Sequence, residues 1–151
     1  MSQQRLDFRT VGATAYAAVS GTERYLQSCG LEKSLLDLVK MRASQINGCA
    51  YCLDMHSRTA RQIGETEQRL YLLNAWRDSP LYSPRERAAL AWTECLTHVA
   101  TQGAPDDAYD ALQAQFSAKE IVDLTVLIGQ INLWNRLCIG LRAEHPVAKA
   151  A

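Results

Sequence analysis

The sequence predicts an all-α fold, a compact bundle of about seven helices joined by short connections. Three observations carry that expectation. Apolar residues recur at helical spacing along nearly the whole chain, no segment alternates in the manner of a strand, and serine-headed capping signatures open two of the segments. The 151 residues, 48% hydrophobic and 21% charged, fit one domain spanning 1–151, with a core large enough to need no metal or disulfide staple.

The elements follow in order. Val11 to Cys29 carries Ala, Tyr, Val and Leu at helical spacing, with Gly30 placed as its stop. Ser34 to Ile46 has apolar residues at 35, 36, 38, 39, 43 and 46, a 3.6-residue period. Asn47-Gly48 breaks it, because both residue types tolerate positive φ. Cys49 to Ile63 is the next helix, closed by Gly64, and Thr66 to Trp76 follows. Ser83-Pro84-Arg85-Glu86 combines an N-cap, a proline at the first helical position and a capping-box glutamate, and it starts a helix reaching about Ala100. Pro105 opens a short helix to Phe116. Ser117-Ala118-Lys119-Glu120 is a second capping box, heading a long apolar helix to about Leu141. The tail from His145 to Ala151 is expected to fray.

Ile121 to Leu141 is the most apolar stretch, but Asp123, Gln130, Asn132, Asn135 and Arg136 interrupt it, so it reads as a buried helix and not a membrane span. Met1 to Thr10 is polar and lacks the apolar core of a secretory signal, which makes the cytoplasm the expected compartment. Sixteen basic residues balance sixteen acidic ones, and the zero net charge argues against a nucleic-acid binder.

Five cysteines stand at 29, 49, 52, 95 and 138. An odd number without an export signal points away from a structural disulfide framework and towards catalysis, redox sensing or metal binding. Cys49-Ala50-Tyr51-Cys52-Leu53-Asp54-Met55-His56 reads C-x-x-C-x-x-x-H. On a helix, residues three apart have Cα atoms roughly 5 Å from each other, within disulfide range. Cys52 and His56 are four apart and share a face. The break at Asn47-Gly48 puts both cysteines at a helix N-terminus, where unpaired N–H groups and the dipole favour a thiolate. His56, one turn from Cys52, is expected to give Cys52 the larger share of thiolate. These are the parts of a dithiol/disulfide cycle. Two blander readings stand beside it: half of a zinc site completed by Cys95 and His98, or an inert buried pair. Cys29, Cys95 and Cys138 lack a partner at redox spacing and read as small apolar fillers, and Asp37 by itself reads as an exposed helix partner of Lys40. Asn135 and Arg136 read either as a polar cluster inside the bundle or as the lining of a site entrance.

The stretch from Leu38 to His56, LVKMRASQINGCAYCLDMH, closely resembles the core of the alkylhydroperoxidase D-like family, within the carboxymuconolactone decarboxylase superfamily. The likeness extends to Ser83–Thr97 (SPRERAALAWTECLT) and Ile131–Arg136 (INLWNR). It implies an all-α, homo-oligomeric peroxidase acting on small organic hydroperoxides in antioxidant defence, with no cofactor or metal, regenerated by an external thiol such as a lipoyl-bearing protein. By the same resemblance Cys52 attacks the peroxide, Cys49 resolves it as a disulfide, and His56 takes part in a proton relay. Asp37, twelve residues before Cys49, occupies the place of a family carboxylate that is usually Glu, and Tyr51 that of a histidine in the best-known members. The superfamily also holds non-redox enzymes of the lactone decarboxylase kind, and a zinc-stapled oligomeric protein is a further alternative; the dithiol weighs against the former.

Overall fold

The computed structural model describes residues 3–147, and among them there is no strand. Nine α-helices follow one another: α1 (Phe8–Val11), α2 (Ala13–Leu26), α3 (Lys33–Asn47), α4 (Ala50–Gln62), α5 (Glu67–Leu72), α6 (Pro84–Thr97), α7 (Val99–Gln102), α8 (Asp106–Gln113) and α9 (Ala118–Gly140). All seven expected segments are present. The two additions are single turns that the sequence pattern merged with, or omitted beside, a longer helix. Asp7 caps α1 by accepting from the Arg9 N–H, and Gly12 separates it from α2. His98 interrupts what reads as one helix, leaving α6 and α7. Both predicted capping boxes form with their glutamates in place, Ser83 with Glu86 and Ser117 with Glu120.

Helix α3 is the centre of the bundle, packed on α4, α6 and α9. Its periodicity explains why. Leu35, Leu36 and Val39 enter an apolar cluster with Leu124, Leu127 and Ile128 of α9 and Trp92 of α6. Leu38 and Met41 face the other way, into a cluster with Ala60, Leu73, Trp76 and Leu90. Ala43, near the helix end, reaches a third and smaller cluster made with Cys49, Cys52, Ile131 and Cys138. A helix buried on several sides fixes its C-terminal turn firmly, and that turn leads directly into the C-x-x-C segment.

Helix α9 buries one side and exposes the other, unlike the wholly buried helix expected, and the polar interruptions on its buried side are satisfied. Asp123 accepts from the Tyr25 hydroxyl at 2.7 Å, and the Gln130 amide donates to the Val19 carbonyl at 2.8 Å. Among the described residues no helix is long and apolar enough to cross a membrane. Of the tail, His145 to Val147 carry no helix, and 148–151 lie outside the described residues.

Candidate active site

The Asn47-Gly48 break sets the geometry of the site. Gly48 closes α3 in the left-handed region at φ 70°, and its N–H returns to the Gln45 carbonyl. The chain then re-enters a helix one residue later than the sequence pattern suggests. Cys49 is the N-cap of α4, with extended backbone, and its sulfur accepts the Cys52 N–H at 3.4 Å. The cysteine thus occupies the place that Ser, Thr or Asp usually fills, and one of the orphan amides of the helix start points at it.

An asparagine cluster holds the turn against α9. Asn47 donates to the Asn135 side-chain carbonyl at 2.8 Å and to that of Asn132 at 2.9 Å. Asn135, fully buried, donates in turn to the Ser44 hydroxyl at 3.0 Å. Arg136 is exposed and donates to the Asn132 carbonyl at 2.8 Å. Of the two readings left open for Asn135, the structural one therefore holds: it clamps the end of α3 to α9.

One turn beyond Asn135, α9 delivers a residue that sequence spacing did not single out. The sulfurs of Cys49, Cys52 and Cys138 all lie within 4.8 Å of one another, and all three side chains are buried. Cys138 is no mere filler remote from the dithiol. This is also the one group among the described residues with three ligand atoms close enough to hold a soft cation. Cys95 and His98 do not join it, so the alternative in which they completed a zinc site with the dithiol is set aside; Cys95 is half-buried on α6 and His98 is exposed beyond its end.

The charge distribution within the trio differs from the expectation built on His56. The Cys138 and Cys52 thiols, then the Cys52 N–H, stabilise a negative Cys49 sulfur and outweigh burial, holding Cys49 down to about 3. Cys138 pulls Cys52 downward as well, but the Cys49 thiolate and burial more than reverse this, and Cys52 is pushed up to about 12. Cys138 is raised by its two sulfur neighbours and by burial. At rest the trio therefore carries its thiolate on Cys49, because the Cys138 and Cys52 thiols converge on it and the N-cap position adds the Cys52 N–H.

His56 is turned to a different partner. Its Nδ1 lies 3.3 Å from Oδ1 of Asp37, and both residues are buried. Asp37 is thus not the exposed partner of Lys40. Lys40, 2% exposed, pairs instead with Glu23 on α2. Burial pushes the Glu23 carboxyl up, but the Lys40 ammonium outweighs it and leaves the carboxyl below its ordinary range. Sequence reasoning missed Glu23 and Lys40, since their partnership joins residues 17 apart across two helices.

Cys52, His56, Asp37, Glu23 and Lys40 all line one cavity of about 400 Å³. One part of its remaining wall is aromatic: Phe8, Tyr16 and Trp134 pack tilted or edge-on at centroid distances of 5.7–6.3 Å, and Tyr51 accepts a hydrogen bond from Arg9. Cys49 lines a different recess of about 540 Å³, beside Gly48 and the end of α9. Cys138 borders both. The arrangement offers a protonated thiol on the cavity wall, a thiolate behind it, and a carboxylate-paired imidazole beside it.

The model of the carboxymuconolactone decarboxylase family matches residues 12–94. YdfG of Bacillus subtilis (strain 168), an uncharacterized protein, is 38% identical over 138 residues, which is 91% of this chain and 94% of YdfG. A crystal structure from Agrobacterium tumefaciens, of a protein of unknown function for which an AhpD-type antioxidant defence role is suggested, matches at TM-score 0.94 and 47% identity, covering 97% of this chain and 100% of that one. The debrominase Bmp8 matches at TM-score 0.78 and 19% identity, covering 87% of this chain and 70% of its own, a likeness of fold.

Proposed function

Since this chain belongs to the carboxymuconolactone decarboxylase family, as one of its alkylhydroperoxidase D-like members, we propose that it is a thiol-dependent peroxidase that reduces small organic hydroperoxides through Cys52 and Cys49. The observation that carries the reading is the single cavity that places Cys52 beside the His56–Asp37 pair under an aromatic wall. An apolar wall suits the organic half of a hydroperoxide, and the ionisable groups suit its O–O end.

Access selects Cys52 as the attacking sulfur, since Cys52 and not Cys49 lines that cavity. The resting thiolate on Cys49 is the base next to the Cys52 thiol: a shift of the Cys52 proton to it, against the resting preference, moves the negative charge to the sulfur facing the peroxide. The Cys52 thiolate attacks the terminal peroxide oxygen and the O–O bond breaks. The alkoxide leaves as the alcohol, taking a proton that the His56–Asp37 pair supplies. Sulfur is oxidised by two electrons to the sulfenic acid. The Cys49 thiol displaces its hydroxyl as water, and a Cys49–Cys52 disulfide forms. An external cytoplasmic dithiol, with a lipoyl-bearing protein as the candidate, restores both thiols.

The exposed apolar residues Val122, Val126 and Leu133 recur on one face of α9, and on this ground the active form is a homo-oligomer that covers them. Light scattering at micromolar concentration checks this, and a stable monomer contradicts it.

The peroxidase reading is tested by counting thiols after one equivalent of cumene hydroperoxide. The wild type is expected to lose two of its five thiols and Cys52→Ser none. Undiminished peroxide consumption by Cys52→Ser would refute the mechanism.

A further inference from the structure

The peroxidase cycle above uses two of the three clustered sulfurs and leaves Cys138 idle. We propose that Cys138 is a third redox-active thiol of this site, which closes a disulfide with Cys52 when Cys49 does not. The inference rests on the peroxidase reading for the origin of the oxidised Cys52, but its geometry stands by itself. The Cys138 sulfur is within 4.8 Å of both dithiol sulfurs, and a disulfide bond is about 2.05 Å long, so side-chain rotation has to supply less than about 3 Å of approach. Helix α9 packs directly on α4, and the Asn47–Asn135 bond one turn away from Cys138 fixes the register between α9 and the loop that carries Cys49. Neither Cys29 nor Cys95 has this position: no second cluster of three ligand side chains exists among the described residues.

Cys138 is also the one sulfur of the three that borders both recesses. A sulfenic acid formed on Cys52 faces the cavity, and Cys138 reaches it from the α9 side without displacing Cys49 from its N-cap. The step balances as the first one does. The Cys138 sulfur bonds to the Cys52 sulfur, the sulfenic hydroxyl leaves, and the Cys138 proton joins it as water. Cys49, which holds the proton taken from Cys52, is then positioned to attack Cys52: the Cys49–Cys52 bond forms, the Cys52–Cys138 bond breaks, and the Cys49 proton passes to the released Cys138 sulfur. An external dithiol reduces whichever disulfide stands. The site thus has two exits from the sulfenic acid, each of which competes with a second peroxide that would carry Cys52 on to the sulfinic acid.

The test uses Cys49→Ser, chosen because serine preserves the N-cap and with it the start of α4. After one equivalent of cumene hydroperoxide, non-reducing peptide mapping is expected to show a Cys52–Cys138 disulfide, with dithiothreitol-supported turnover retained at a reduced rate. The double variant Cys49→Ser/Cys138→Ser is expected to stop after one turnover, with Cys52 labelled by dimedone. If Cys49→Ser alone gives the dimedone adduct while Cys138 remains free to react with iodoacetamide, the inference is overturned and the peroxidase reading stands. If instead the wild type consumes no hydroperoxide, that reading falls. Diamide, which pairs thiols without peroxide, then decides the inference: a Cys52–Cys138 disulfide in Cys49→Ser supports it, and free or intermolecularly paired thiols overturn it.

Discussion

Replacing Asn135 by Ala tests whether the asparagine clamp organises the site. The side chain is fully buried, accepts from Asn47 at 2.8 Å and donates to Ser44 at 3.0 Å. Asn47 keeps its second bond, to Asn132, so its loss is one ordinary hydrogen bond, about 1 kcal/mol. Ser44 is 0% exposed and loses the donor it faces, which adds about 1–3 kcal/mol for a stranded hydroxyl. The sum is about 2–4 kcal/mol, and at about 2–4 °C per kcal/mol for a domain of this size the melting temperature falls by roughly 4–16 °C. Thermal unfolding of the reduced protein measures it. The double variant Ser44→Ala/Asn135→Ala removes the stranded group, so it is expected to be less unstable than the two single effects summed, by about 1 kcal/mol. Asn135 also contributes to holding the Cys49 carboxyl-like acidity, so the thiolate absorbance near 240 nm in Asn135→Ala should titrate at higher pH than in the wild type. A loss below about 0.5 kcal/mol, or strict additivity with Ser44→Ala, would refute the clamp.

Gly48→Ala is expected to cost about 1 kcal/mol from its positive φ alone, because a Cβ there meets nothing within 4 Å, and Gly48→Asn should cost less; denaturant unfolding ranks the two. Stability of the reduced protein relative to Cys49→Ser should depend on pH with a definite sign. The folded state holds Cys49 at about 3 against an unfolded thiol near roughly 8.5, so the stabilisation is complete above the unfolded value and drains away as pH falls towards 3; urea midpoints between pH 4 and 8 measure it, and a flat difference contradicts the assignment. Glu23→Gln leaves the buried Lys40 ammonium without its carboxylate and should cost about 3 kcal/mol, whereas Glu23→Gln/Lys40→Met should recover most of the loss in the same unfolding assay.

The fold was readable because its signals are local. The capping boxes at Ser83 and Ser117 need only residues three apart, and the period of α3 needs only its own apolar positions. The departures fall where a boundary depends on one residue's backbone: Cys49 as an N-cap instead of a first helical residue, His98 as the break between α6 and α7, and Asp7 as the cap of a single turn. Of the site, Cys49, Cys52 and His56 were readable from their spacing on one helix. The family resemblance placed Asp37 with them, and the structure puts its carboxylate 3.3 Å from His56. Glu23, Lys40 and Cys138 were not readable, because each meets the site only through helix packing.

A signal for Cys138 nevertheless lay in the sequence. Asn132, Asn135 and Cys138 recur every three residues inside the most apolar stretch of the chain. Three polar or reactive side chains on the buried side of a helix are costly unless something meets them. The asparagines are met by Asn47, the residue beside the Gly48 break, so the third member of the stripe is carried to the residue just past that break, which is Cys49. The same bonds that satisfy the asparagines therefore set the distance between Cys138 and the dithiol. The polar stripe and the three-sulfur cluster are in this sense a single feature: loosening the clamp at Asn135 should raise the pKa of Cys49 and slow the pairing of Cys52 with Cys138 together, and a variant that moves one without the other would separate them.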